Sequence, residues 1–333
     1  MTEGLEDYPK VDGADITHLQ LDALGLQMHV ATAGPSDGPV ILLLHGFPEL
    51  WFSWRNQIPA LAGAGYRVLV PDLRGYGRTG APPDVASYTL LHISGDLVGL
   101  LQAVDSRTCV VVGQDWGSPA ATTLALCRPD LVRGIVLSST PYSPRTEVDF
   151  LTDLTARLGP DNYQSFFQEP GVAESVFDAD VRAMVVASLL AVSGDAPSVH
   201  TTTDIEHSAA VPDTSGDLPH WLSETAVDYL TSEFERTGYR GALNWYRNHQ
   251  RNWELMASWH EAPIDAPSMF IGGDRDPVLN WPGFRRHVET LSERLMPRLE
   301  RNVILDGCGH WIPQERPDEM NGLLLEFLDG LQM

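Results

Sequence analysis

Asp115 stands in Gly113-Gln114-Asp115-Trp116-Gly117, directly after the apolar run Cys109-Val110-Val111-Val112, where a strand-to-helix nucleophile elbow usually carries serine. A carboxylate at that position points to attack that forms an ester on the protein itself, not to ordinary serine hydrolysis. Small residues two before and two after the nucleophile let the backbone take the sharp, strained turn that lifts the side chain out, and Gly113, Gly117 and Ser118 are small. Gly-x-Asp-x-Gly also occurs in ordinary tight turns, so the rest of the chain has to decide. Ser118 lies three residues past Asp115, on the first turn of the expected helix, and reads as a small packing residue instead of an esterase nucleophile.

An ester on a carboxylate is released when a base activates water against it, and that base is expected after the last strand. His310, in Gly307-Cys308-Gly309-His310-Trp311, follows a strand reading that ends at Leu305, and the flanking glycines free the loop to aim the imidazole at the elbow. The orienting acid is expected from the preceding strand end, Gly272-Gly273-Asp274-Arg275-Asp276. Asp276, further along the loop, is the expected partner that fixes the imidazole tautomer and stabilises the imidazolium. Asp274 reads as a turn residue making local backbone hydrogen bonds. Hydrolysis passes through a tetrahedral oxyanion, for which the backbone N–H groups of Trp116 and Phe47 are the expected donors. Phe47 lies in His45-Gly46-Phe47-Pro48, the loop after the first parallel strand, where His45 reads as structural and Pro48 has no N–H to give.

These loops must hang from a sheet. Short β-rich runs alternate with helical patterns, the signature of a mostly parallel sheet flanked by helices. Residues 40–44, 67–70, 109–112, 134–137, 268–271 and 302–305 read as parallel strands, and 16–21 with 26–31 as an antiparallel hairpin about the turn 22–25. Helical periodicity marks 90–104, 118–126 and 318–331. From about 141 to 262 the strand rhythm stops and aromatics crowd a helical, turn-rich stretch. The expected organisation is therefore a core over 1–141, a helical insertion over 142–262 and the remaining core over 263–333. The stretch 193–219, rich in Ser, Thr, Asp, Gly and Pro, reads as a long loop of the insertion near a pocket mouth.

At 333 residues, 43% hydrophobic and 20% charged, the chain can bury a sizeable core and is unlike a disordered or membrane-spanning protein. Its formal net charge of −23 would repel phosphate backbones and anionic lipid, so neither nucleic acid nor membrane is an expected partner and a neutral small molecule is. Residues 1–15 lack the basic flank and apolar stretch of a signal peptide, which makes the expected location cytoplasmic. Cys109, Cys127 and Cys308 show neither disulfide nor zinc-site spacing, so no metal is expected. Gly63-Ala64-Gly65 precedes a strand and forms no dinucleotide turn, and hydrolysis through an aspartyl ester requires only water, so no cofactor is expected. A homodimer is compatible with the sequence, although no specific feature calls for one.

Taken together, the motifs resemble those of the soluble epoxide hydrolases of the α/β-hydrolase fold. The chain is similar to that family in His45-Gly46-Phe47-Pro48-Glu49, in the elbow, and in Cys308-Gly309-His310-Trp311, over most of its length and least before Ile16 and across 193–219. Asp72-Leu73-Arg74-Gly75-Tyr76-Gly77 matches a family segment as well, with a fold-building role expected. The resemblance implies an inserted, mainly helical cap whose two tyrosines hydrogen-bond the epoxide oxygen and supply its proton. The matching segments, Tyr163-Gln164-Ser165-Phe166-Phe167-Gln168-Glu169-Pro170-Gly171 and Gly241-Ala242-Leu243-Asn244-Trp245-Tyr246-Arg247-Asn248, yield Tyr163 and Tyr246, with Phe166 where another tyrosine is common. It further implies a neutral epoxide as substrate, contacted by Trp116, Phe47 and Phe167, and a vicinal diol as product. Haloalkane or fluoroacetate dehalogenation would use the same Asp115, Asp276 and His310. A halide, however, needs N–H donors besides Trp116, and this chain has Phe47 in the first oxyanion loop and phenols in the cap. A non-catalytic receptor on the same fold would be expected to have lost one of these groups, and none is missing.

Overall fold

The computed structural model describes residues 8–196 and 217–331. Among them, eight strands form one sheet in the order β1-β2-β4-β3-β5-β6-β7-β8. β1 (Thr17–Ala23) and β2 (Leu26–Ala33) are the expected hairpin, and β2 runs antiparallel to β4. β3 (Val40–Leu44), β4 (Arg67–Pro71), β5 (Cys109–Gln114), β6 (Val132–Ser138), β7 (Ser268–Gly273) and β8 (Leu299–Leu305) are joined by parallel pairings. β3 and β5 are unbroken buried runs, as strands covered on both faces must be. β8 lies on the edge and exposes Glu300, Arg301 and Asn302, a polar pattern that blunts an edge strand. The hairpin turn is tighter than 22–25. Ala23 pairs with Leu26, leaving Leu24 (φ 55°) and Gly25 (φ 94°) as a two-residue turn, and Asp22 Oδ1 accepts the Gly25 N–H at 2.6 Å.

Three helices are interleaved with the first strands: α1 (Gln57–Gly63), α2 (Leu90–Ala103) and α3 (Gly117–Cys127). Between β6 and β7 come α4 (Phe150–Leu158), α5 (Tyr163–Phe166), α6 (Val172–Phe177), α7 (Val181–Ala191), α8 (Glu224–Thr237), α9 (Arg240–Tyr246) and α10 (His249–Leu255). Short polar residues start several of them: Asp149, Asn162, Asp180 and Ser223 each accept a backbone N–H of the first turn. Indole N–H groups tie this helical segment to the loops of the sheet. Trp51 donates to the Tyr229 hydroxyl (2.8 Å), Trp245 to Arg74 O (3.0 Å) and Trp311 to Leu189 O (2.7 Å). Backbones meet directly at Gly75 and Gly241, where a Cβ on Gly241 would lie 2.4 Å from Gly75 O. One buried apolar cluster runs from the sheet into these helices. No helix of the described residues is long and apolar enough to cross a membrane. Of the loop expected over 193–219, residues 197–216 lie outside the described residues.

Candidate active site

Asp115 sits at φ 51°, a left-handed conformation uncommon for a residue with a side chain. Close backbone approaches hold it there: a Cβ on Gly113 would lie 2.2 Å from Gly117 O, and one on Gly117 2.1 Å from Leu44 O. The chain thus turns sharply from β5 into α3 and presents the carboxylate at the strand end. Phe47 N–H donates to Asp115 Oδ1 at 2.7 Å, so the first expected oxyanion donor is already on one oxygen. Among the described residues no hydrogen bond joins Trp116 N–H, the second expected donor, to Asp115. Ser118 is buried, its hydroxyl donating to Gly113 O at 2.8 Å.

The other oxygen, Asp115 Oδ2, lies 3.3 Å from His310 Nε2, and His310 Nδ1 lies 2.9 Å from Asp276 Oδ2. Asp276 is fully buried, and its second oxygen accepts Val278 N–H at 2.8 Å. Burial acts to lower the His310 pKa, but the charges of Asp276 and Asp115 and their hydrogen bonds outweigh it and raise the imidazole well above its usual range. Asp274 lies in the turn directly after β7. Its Oδ1 is buried without a partner, while its main-chain carbonyl accepts from Asn280 and Arg285. His45 is buried and structural, with Nδ1 against Gly46 O (2.9 Å) and Nε2 accepting Leu73 N–H (3.0 Å).

A cavity of about 410 Å³ is lined by Asp115, Trp116, Tyr163, Tyr246 and His249, among others. Tyr246 is buried and Tyr163 partly so, their rings 6.2 Å apart. Burial foremost, and the Asp115 charge with it, raise both phenols above their usual range; the Tyr163 hydroxyl also accepts Gln164 Nε2 at 2.8 Å. Phe47 and Phe167 do not line this cavity. They pack on Tyr246, with ring centroids 5.5 and 5.0 Å away. His249 stacks on Trp116 at 5.4 Å, and burial pushes its pKa down to about 4, which leaves it neutral.

Three residues at this site escaped the sequence reading. Gln114, an unremarked position of the elbow motif, donates from Nε2 to His310 O at 2.6 Å and to Ser139 Oγ at 2.8 Å, tying the elbow to the histidine loop. Glu49 is buried, with Oε1 accepting Gln314 Nε2 at 2.7 Å and Oε2 unpartnered. Glu315 is buried beside the histidine loop. Glu49 carried a signal, a carboxylate one residue past the oxyanion loop; the other two make contacts that no local pattern marks.

Residues 39–179 match the alpha/beta hydrolase fold family. The chain is 40% identical over 330 residues to epoxide hydrolase A of Mycobacterium tuberculosis, covering 95% of this chain and 98% of that protein. It is 41% identical over 315 residues to epoxide hydrolase 1 of Siraitia grosvenorii, covering 94% and 98%. The structure is similar to that of an epoxide hydrolase from an endophytic Streptomyces, with a TM-score of 0.88 and 42% identity over 96% of this chain and 97% of that one. An eight-stranded, mostly parallel sheet and relatives matched over nearly their whole length lead to one conclusion: the chain belongs to the epoxide hydrolases, hydrolases acting on ether bonds, of the alpha/beta hydrolase fold.

Proposed function

We propose that this epoxide hydrolase converts a neutral epoxide to a vicinal diol through a covalent ester on Asp115. The helical insertion over 142–262 acts as its cap, on a core made of 1–141 and 263–333. The observation that carries the reading is the 3.3 Å approach of His310, itself paired with Asp276 at 2.9 Å, to a carboxylate whose cavity also contains two phenols.

Asp115 Oδ2, the oxygen not held by Phe47 N–H, attacks a ring carbon and the strained carbon–oxygen bond breaks. The leaving alkoxide takes a proton from Tyr163 or Tyr246. Both phenols keep their protons through the neutral range, and an alkoxide is more basic still. Oδ1 becomes the ester carbonyl, already hydrogen-bonded to Phe47 N–H at 2.7 Å. With the Asp115 charge gone, the His310 imidazolium passes its proton to the phenolate, directly or through solvent; neutral Nε2 then removes a proton from water while Asp276 holds Nδ1–H, and the hydroxide adds to that carbonyl. Negative charge develops on Oδ1, where Phe47 N–H and then Trp116 N–H stabilise it. Collapse moves the proton of the added hydroxyl to the departing alkoxide oxygen, which releases the diol and restores the carboxylate beside the imidazolium. Trp116, Phe150 and Trp281 in the cavity lining favour an apolar or aromatic epoxide.

The test is a side-by-side assay of wild type and Asp115→Ala on styrene oxide and stilbene oxide for diol, and on 1-chlorobutane and fluoroacetate for halide. Diol that disappears in the variant is the expected result. Diol formation retained by Asp115→Ala, or halide release without diol, would overturn the scheme.

A further inference from the structure

Glu315 ends the helical turn Ile312–Glu315, five residues past His310, and its buried carboxylate accepts three backbone N–H groups. Oε2 takes Gly309 at 2.9 Å and Gly194 at 2.8 Å, and Oε1 takes Trp311 at 2.9 Å. Gly309 and Trp311 are the immediate chain neighbours of His310. Gly194 belongs to the helical insertion, just beyond the end of α7. Burial raises the Glu315 carboxyl above its ordinary range, the three backbone N–H groups oppose this by favouring the charged form, and they converge from two parts of the fold.

The contact is built into the backbone on every side. A Cβ on Gly309 would lie 2.1 Å from Gly194 N, and one on Gly194 2.6 Å from Gly307 O, so neither position tolerates a side chain without displacement. The same short stretch of the insertion reaches the rest of the hydrolytic machinery. Val192 O accepts His310 N–H at 2.9 Å, and Ala196 O accepts Arg275 Nη2, from the loop of Asp276, at 2.8 Å. Glu315 touches none of the reacting atoms in the proposed cycle. Asp115, Tyr163 and Tyr246, which act in the first half-reaction, make no hydrogen bond to it among the described residues.

We propose that Glu315 is a positioning residue for the base: it clamps the main chain on both sides of His310 against residues 192–196 of the insertion, and so makes ester hydrolysis depend on how that segment is docked. This rests on His310 being the base of the second half-reaction. Alkylation of Asp115, which needs no deprotonation of water, should be nearly indifferent to the clamp.

Glu315→Gln keeps the size of the side chain but replaces one acceptor oxygen with an amide that faces backbone N–H donors, so at least one of the three bonds is lost. The full chain is mixed rapidly with styrene oxide, quenched in acid, and the ester followed by intact mass. Alkylation is expected within about threefold of wild type and ester hydrolysis about thirtyfold slower or more, since small misplacements of a reacting group cost rate steeply. The ester then accumulates. Glu315→Asp, which keeps the charge and shortens the reach, should lie between the two, and it carries the same comparison if Glu315→Gln does not fold. His310→Gln run in parallel separates the two ideas. If it fails to accumulate ester, the reading of His310 as base is wrong. If it does accumulate ester while the Glu315 variants slow hydrolysis no more than alkylation, Glu315 is merely structural and the proposal is overturned.

Discussion

Asp115 loses its negative charge when it becomes an ester in the proposed cycle, and the groups around it are tuned by that charge. With it present, Asp276 and Asp115 together overcome burial and hold His310 protonated well above its usual range. With it gone, only Asp276 opposes burial, so the imidazole gives up its proton more easily at the stage where a base is needed. Single-turnover ester hydrolysis should therefore rise with pH through a lower value than the one at which His310 titrates by NMR in the free protein. Equal values would mean that the 3.3 Å contact carries no coupling. Glu49 supplies a second residue-level test. Burial first, and then the Asp115 charge, push its carboxyl up from 4.5 to about 7. A folded pKa above the unfolded one means a contribution fully present below about 4.5 and lost as pH rises through about 7. At about 1.4 kcal/mol per pH unit, ionised Glu49 costs the fold up to roughly 3 kcal/mol at alkaline pH. Glu49→Gln retains an acceptor for Gln314 and should match wild type in denaturant unfolding at acid pH but exceed it by up to that amount when alkaline. A pH-independent difference would rule this account out.

The elements that carry the site meet through glycine. A Cβ on Gly46 would lie 2.3 Å from Asp115 Cβ, so Gly46→Ala pushes the oxyanion loop and the elbow apart. It should slow alkylation by about a hundredfold, the scale expected for ångström misplacement of a reacting group, while heat denaturation stays cooperative. Alkylation at the wild-type rate would show that the loop relaxes freely. The elements themselves were legible because each site loop follows an apolar strand run: the expected 40–44 coincides with β3, and the 109–112 and 268–271 readings fall within β5 and β7. Asp115 and Asp276 follow β5 and β7, and His310 follows β8, within which the expected 302–305 falls. Tyr163 and Tyr246 were not legible in this way, since nothing in helical periodicity distinguishes a phenol facing a cavity from one in a core, and only the family resemblance singled them out. Gln114 on His310 O, Glu315 on Gly194 and Gly75 on Gly241 were invisible for a different reason. They join residues far apart in the chain, and a local pattern holds no information about which distant backbone a side chain will meet.

At the scale of the molecule, the net charge of −23 offers a neutral epoxide no long-range steering, so recognition falls to the cavity. Its volume, about 410 Å³, is that of a small-molecule site, and its lining extends from Asp115 and the two phenols to Leu126, Met256 and Trp259. Trp259 Nε1 donates to Leu126 O at 3.1 Å, so α3 and the helical insertion are tied together beside that apolar stretch. A substrate whose ring sits at Asp115 would lay its tail along this wall. Each methylene removed from water contributes about 0.8 kcal/mol, or about fourfold in binding. Binding that is equal in the ground and transition states appears in kcat/KM and leaves kcat alone. Across terminal epoxides from epoxypropane to epoxydodecane, kcat/KM should therefore climb by about that factor per methylene and then level off once the cavity is filled, with kcat nearly constant. Replacing Leu126 with a bulkier tryptophan should bring the plateau to shorter chains. A kcat/KM that ignores chain length would mean that the tail lies in solvent and that this cavity does not select the substrate.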